Sequence, residues 1–82
     1  MFAVKIVKKS GAIELYNNPS SVYFDPNYKF SNDKPGFLRI NDGAGNCSEI
    51  YQDYTQTPLD LIYGRVEKAI EEGGMVTIYL NK

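Results

Sequence analysis

The chain has 82 residues, a net charge of −1, a hydrophobic content of 43%, one cysteine and no histidine. This length accommodates one domain, residues 1–82, with a small core, and the near-zero charge gives no overall attraction to nucleic acid or to an anionic membrane. The single cysteine excludes an intrachain disulfide, and the lack of histidine excludes Ser-His-Asp and Cys-His catalysis and most transition-metal sites.

The N-terminal residues predict a β-hairpin. Residues 2–8 alternate in the manner of a strand, with one face made by Phe2, Val4 and Ile6. A Ser-Gly turn at 10–11 then returns the chain antiparallel over residues 12–16. In this second strand we expect Ile13 and Leu15 to point inward and Glu14 to point outward.

Residues 17–36 combine loop residues with large aromatic side chains. Three prolines and several Asn and Ser residues favour turns. A structureless loop of this length is unusual in so small a domain. We therefore predict short strands around 21–24 and 28–30.

A second hairpin is predicted at residues 37–54. Residues 37–41 form its first strand, with Leu38 and Ile40 on one face, and the Gly-rich segment 42–46 is a strong turn signal. Residues 47–54 return, with Ile50 inward. Periodicity leaves open whether Tyr51 or Tyr54 is buried.

The spacing predicts one amphipathic helix at about 58–72, with Thr57 as N-cap and Pro58 as the first helical residue. Gly73 is expected to end it. Gly64 is costly inside a helix, which favours close approach of a strand or of a partner's backbone there. The apolar stripe consists of Leu59, Ile62, Tyr63, Val66, Ala69 and Ile70.

These elements predict an α+β fold. Residues 75–80 alternate as a last strand, which we expect to pair inside the sheet, beside the first strand. The predicted order is ββ-ββ-α-β, with a mostly antiparallel sheet of four to five strands covered on one face by the single helix. If Ala3, Val7, Met75 and Tyr79 share the uncovered face, that face favours self-association as a homodimer.

Catalytic and metal sites are not indicated. Cys47 has no nearby cation in sequence that would activate its thiol, so we interpret it as an ordinary strand residue. The acidic residues near the second hairpin lack calcium-loop spacing and are better explained by turn formation. They are Asp33, Asp42, Glu49 and Asp53. We expect no catalytic residue, metal or cofactor; a carboxylate-based hydrolase is the third-ranked hypothesis.

The aromatic side chains suggest a binding surface. Tyrosine is enriched at protein interfaces, although rings in a loop also close the end of a small core about equally often. The residues that we predict to bind a partner are Tyr23, Phe24, Tyr28, Phe30, Tyr51 and Tyr79.

The leading hypothesis is a small non-enzymatic protein-interaction domain that acts as an inhibitor or accessory factor. Abundant residues with AT-rich codons favour a low-GC bacterium or its phage as the source. The alternative is single-stranded nucleic-acid binding through an aromatic sheet face, which the slightly acidic charge disfavours. The sequence shows no secretion signal and no apolar run that could span a membrane, which predicts a cytoplasmic protein without membrane association.

Overall fold

Six strands and one α-helix follow each other in residues 1–29 and 34–82, the part of the chain that the computed structural model describes. The strands are β1 (Phe2–Val7), β2 (Ile13–Asn17), β3 (Ser21–Asp25), β4 (Phe37–Asn41), β5 (Cys47–Tyr51) and β6 (Gly74–Tyr79). The helix α1 spans Leu59–Glu72, and a short 3₁₀ turn at Gln52–Tyr54 follows β5. Of the strand predicted at 28–30, residues 28 and 29 lie in no strand and Phe30 lies outside the described residues.

The α+β class, both hairpins and the single C-terminal helix are confirmed, and the strands form two three-stranded sheets. The first has the order β2-β1-β6, with β2 antiparallel and β6 parallel to β1. The second has the order β3-β4-β5 and is antiparallel throughout. The last strand does pair beside the first, as predicted, but at the edge of its sheet.

One core lies between the two sheets and the helix. Helix α1 packs against β1 and β6 of the first sheet and against β3 and β4 of the second. Burial of each Leu, Ile or Val side chain contributes roughly 1.5–3 kcal/mol. The most deeply buried large side chains are Val4, Ile6, Leu38, Ile40, Ile50, Leu59, Val66 and Ile78.

The predicted orientation of β2 is wrong. Ile13 and Leu15 are 57% and 52% exposed, whereas Tyr16 is buried. Tyr16 pairs with buried Val4, and directly opposed residues in a sheet share a face. The register with β1 therefore turns Tyr16 and Glu14 towards the core.

The predicted helix cap is also wrong. Pro58 occupies the N-cap position and no side chain of the cap residue bonds there. The Leu59 amide instead donates to Oε1 of Gln52 at 2.8 Å. At the other end Gly73 closes the helix with a φ of +82°, and its amide donates to the Ala69 carbonyl at 2.7 Å.

Most of the predicted apolar stripe of the helix is buried, as expected, but one of its residues is exposed. Leu59, Ile62, Val66 and Ala69 are buried, whereas Ile70 is 56% exposed. Gly64 has no described atom within 4 Å of where a Cβ would stand, so no strand of this chain approaches it closely.

Candidate functional site: an aromatic patch on the second sheet

Alternate residues of the second sheet point away from the core. Leu38, Ile40 and Ile50 face inward and are buried. Because side chains alternate along a strand, their neighbours face outward. The register places Phe37 of β4 opposite Tyr51 of β5 on this outer face.

The outer face carries a connected group of rings centred on Phe37. The Phe37 ring centroid lies 5.0 Å from that of Tyr28, 5.3 Å from that of Tyr51 and 6.4 Å from that of Tyr23. Each such pair contributes roughly 0.5–1.5 kcal/mol beyond burial. We call this group the aromatic patch; it comprises Tyr23, Tyr28, Phe37, Tyr51 and Tyr54, whose ring is 5.4 Å from that of Tyr51.

Backbone bonds through Gly36 hold Tyr28 over the sheet. The Gly36 amide donates to the Tyr28 carbonyl at 2.7 Å, and the Gly36 carbonyl accepts from the Gln52 amide at 3.1 Å. Gly36 has a φ of +133°, a conformation largely restricted to glycine. A Cβ at this position would lie 3.2 Å from that of Gln52. Glycine here therefore fixes the placement of Tyr28.

Two cations border the patch, and one of them, Arg39, is paired with a carboxylate. The Arg39 guanidinium lies 5.3 Å from the centre of the Phe37 ring and pairs with Glu49 at 3.1 Å. The Lys82 ammonium lies 5.1 Å from the centre of the Tyr54 ring. The patch is therefore an aromatic surface with polar tips rather than a basic one.

Tyr51 remains a neutral phenol in this setting. Burial raises the pKa of Tyr51, and the negative charge of Glu49 raises it further, followed by the neighbouring Tyr28 and Tyr54. The hydroxyl is therefore a hydrogen-bonding group, with no role as an anion near neutral pH.

The structure brings together three of the predicted binding residues, Tyr23, Tyr28 and Tyr51, and places Phe24 and Tyr79 elsewhere. Phe24 points inward and stacks on Tyr63, with ring centroids 5.3 Å apart. Tyr79 is 68% exposed but lies on β6 of the first sheet. Phe30 lies outside the described residues.

Sequence reasoning missed Phe37 as the centre of the patch. The alternation that placed Leu38 and Ile40 inward already required Phe37 and Arg39 to face outward. That signal was available in the sequence. The burial of Phe37 to 5% exposure was not, because its cover comes from Tyr23, Tyr28 and Tyr51 on other segments.

The uncovered face of the first sheet is a second surface with exposed apolar side chains, and Lys5 and Thr77 lie between them. Ala3 pairs with Met75, and Val7 pairs with Tyr79, so the predicted sharing of this face is confirmed. Met75 is 57% exposed. Exposed Ile13 and Leu15 join this face because β2 is oriented opposite to the prediction.

Within 1–29 and 34–82, no group of three or more His, Cys, Asp and Glu residues is placed to hold a metal ion. Asp42 caps its own turn, since its carboxylate accepts from the Ala44 amide at 2.8 Å and from the Asn46 side chain at 2.8 Å. These bonds lower the pKa of Asp42. Asp33 lies outside the described part of the chain.

No helix in the described residues is long and apolar enough to cross a membrane. Comparison of the chain with protein-family models, with curated proteins and with solved structures finds no match.

Proposed function

We propose that this chain is a small non-enzymatic protein-interaction domain that binds a partner protein through the aromatic patch. The observation that carries the proposal is that Tyr23 and Tyr28 are 53% and 41% exposed while both rings contact buried Phe37. Rings held in place but open to solvent offer apolar area with a polar tip.

Preorganisation makes such a surface suited to binding. Ordering a side chain at an interface costs roughly 0.5–1.5 kcal/mol, and rings that are already packed avoid part of this cost. Tyrosine and arginine are also the residues that most often dominate interface energies. The patch combines both, with Arg39 packed over Phe37.

The biological role that we propose is that of an inhibitor or accessory factor from a bacterium or a phage. Such a role requires a stable binding surface and no catalytic group. Tyr23 and Tyr28 would insert into a complementary apolar site on the partner, with the Arg39–Glu49 pair at the rim.

Affinity purification from bacterial lysates tests this proposal with matched variants. We expect the wild-type chain to recover a defined partner and the Tyr23→Ala/Tyr28→Ala variant to lose it. Tyr79→Ala is the control, because Tyr79 is also exposed but lies on the other sheet. Circular dichroism establishes that each variant is folded. Equal recovery by all three proteins, or no partner in any candidate host, refutes the assignment.

Single-stranded nucleic-acid binding by the same patch is the second candidate. The observation that favours it is an open sheet face carrying Tyr23 and Tyr28 beside Arg39, since exposed rings stack on bases. The Arg39–Glu49 pair weakens it, because phosphate contacts supply most nucleic-acid affinity. Fluorescence titration with oligo-dT and oligo-U distinguishes the two. Micromolar binding that weakens with salt supports this candidate, and absence of saturation at low salt eliminates it.

A further inference from the structure

Strands β2 and β5 are edge strands of different sheets, and they border one groove. One section of the groove has a volume of about 530 Å³ and is lined by residues that include Glu14 and Ile50. The other has a volume of about 750 Å³ and is lined by residues that include Asn17 and Asn46. Both volumes lie in the ~300–1,000 Å³ range of ligand clefts. Glu14 shares one section with Ile50, and Asn17 shares the other with Asn46, so β2 and β5 run antiparallel across the groove.

The gap is wider than the distance between paired strands. The Tyr16 hydroxyl and Ser48 Oγ are hydrogen-bonded at 2.6 Å, and Ser48 Oγ donates to Glu14 Oε2 at 3.3 Å. Strands β2 and β5 do not pair with each other, whereas paired strands are ~4.8 Å apart. Because Tyr16 is buried in the core, the bridge forms the floor of the groove.

The β1–β2 ladder shows which backbone groups of β2 face the groove. At its ends, the Lys8 amide donates to the Ala12 carbonyl and the Asn18 amide donates to the Phe2 carbonyl, both at 2.8 Å. Hydrogen-bonded and non-bonded pairs alternate in an antiparallel ladder, so every second residue of β2 bonds to β1. The residues between them direct their amides and carbonyls to the open edge; they are Ile13, Leu15 and Asn17.

The β4–β5 ladder gives the same result for the opposite wall. The Asp42 amide donates to the Asn46 carbonyl, and the Gln52 amide donates to the Gly36 carbonyl, both at 3.1 Å. The same alternation turns the amides and carbonyls of Cys47 and Glu49 to the open edge. In the described residues, these groups have no partner strand. Two rows of strand-spaced donors and acceptors therefore line one groove.

We propose that the groove between β2 and β5 binds an extended segment of a partner polypeptide, which adds as a strand between the two sheets. Its backbone would bond to both edges, antiparallel to one and parallel to the other. Alternate side chains would contact the Tyr16–Ser48 floor. Lys8 and Lys82 line one section of the groove together with Glu14 and Glu49, and Lys8 pairs with Glu14 at 3.3 Å, so positive and negative groups are matched in number there. The groove adjoins the aromatic patch, because Tyr54 lines one section of it, but the proposal does not depend on the function proposed for the patch.

The first test is selection of random linear decapeptides displayed on phage against the immobilised chain, followed by synthesis of the enriched peptides. Amide hydrogen exchange, measured by NMR with and without peptide, locates the contact. We expect slower exchange at Leu15, Asn17, Cys47 and Glu49. Glu14, whose amide faces β1, should change little and serves as the internal control.

Two variants of one residue separate the backbone contact from the side chain. Leu15→Pro removes an amide that faces the groove, a change that edge strands tolerate. Leu15→Thr removes the leucine side chain but keeps the amide. We expect Leu15→Pro to bind peptide about tenfold or more weakly than Leu15→Thr, the effect of losing one well-placed interaction. If Leu15→Pro fails to fold, the wild-type chain can be tested with enriched peptides that are N-methylated at alternate residues. N-methylation removes amide donors from the peptide and so tests the same backbone contact.

Three outcomes would overturn the groove assignment. The first is that no peptide is enriched. The second is that enriched peptides slow exchange at Tyr23 and Tyr28, which supports the aromatic patch as the binding site instead. The third is that no peptide binds and light scattering shows a dimer, which Leu15→Pro disrupts. In that case a second copy of the chain occupies the groove. Equal binding by Leu15→Pro and Leu15→Thr likewise rejects strand addition.

Discussion

Replacement of Gln52 by alanine is expected to destabilise the domain, because this side chain caps the helix from outside it. Gln52 Oε1 accepts from the Leu59 amide at 2.8 Å, and Nε2 donates to the carbonyls of Thr57 at 3.1 Å and Thr55 at 3.3 Å. One side chain thus satisfies the first helical amide and orders the segment that leads to it.

The expected loss follows from these three bonds. Removal of a helix cap costs about 0.5–2 kcal/mol. A typical internal hydrogen bond contributes about 0.5–1.5 kcal/mol, and water replaces part of this at half-buried carbonyls. We expect Gln52→Ala to lower the free energy of unfolding by about 2 kcal/mol, which corresponds to a decrease in Tm of about 8–16 °C for a domain of this size. Gln52→Glu keeps the acceptor for Leu59 but sets a carboxylate oxygen against the Thr55 and Thr57 carbonyls, so it should also be less stable than the wild-type chain.

Thr57→Ala is the matched control, since sequence reasoning assigns the cap to Thr57. Urea and thermal unfolding followed by far-UV circular dichroism measure both variants. Thr57→Ala should change stability by less than about 0.5 kcal/mol, the usual range for a surface substitution. A loss for Thr57→Ala equal to that for Gln52→Ala would refute the assignment of the cap.

Three further predictions concern backbone conformation and ionisation. In urea unfolding, Gly36→Ala should lower the free energy of unfolding by about 1–3 kcal/mol, because Gly36 has a φ of +133°. Gly64→Ala should raise it by up to about 1 kcal/mol, because Gly64 lies at an open position of the helix. A change of the same sign in both variants contradicts the structure. The raised pKa of Tyr51 means that the folded state resists ionisation of this phenol, so the free energy of unfolding should fall as pH rises above 10.0. The fall should be smaller in Tyr51→Phe. The same dependence on alkaline pH in both proteins excludes this contribution. Because the pKa of Asp42 is lowered in the folded state, its carboxylate stabilises the fold above pH 3.8, and this stabilisation is lost as pH falls through the folded-state pKa. Asp42→Asn should therefore make the free energy of unfolding depend less on pH in the acid range. An unchanged dependence would count against the turn bonds.

Local sequence patterns were sufficient to predict the helix and most of the strands, although residues 28 and 29 of the strand predicted at 28–30 lie in no strand. Alternation predicted β1, β4 and the last strand, and Gly-rich turns predicted both hairpins, because these signals depend on neighbours in sequence. The 3.6-residue period likewise located the helix to within a residue. The tyrosine-rich composition led to the prediction of a binding surface, and two of the residues predicted for it, Tyr23 and Tyr28, are exposed.

Tertiary contacts decided the features that local patterns left ambiguous. In β2 both faces carry large apolar side chains, so alternation alone cannot choose between Leu15 and Tyr16. The choice follows from the register with Val4 and from the Tyr16 bond to Ser48, which lies 32 residues away in sequence. The same kind of distant contact made Gln52 the helix cap.

The sequence by itself determined the helix and most of the strands, since these segments carry their own periodicity. Only the tertiary structure decided that six strands divide into two sheets in the described residues, with Phe37 at the centre of the aromatic patch and a groove between β2 and β5. The physical reason is that strand pairing and ring packing join residues far apart in the chain. Their free energies depend on which surfaces meet, and a single segment does not encode that.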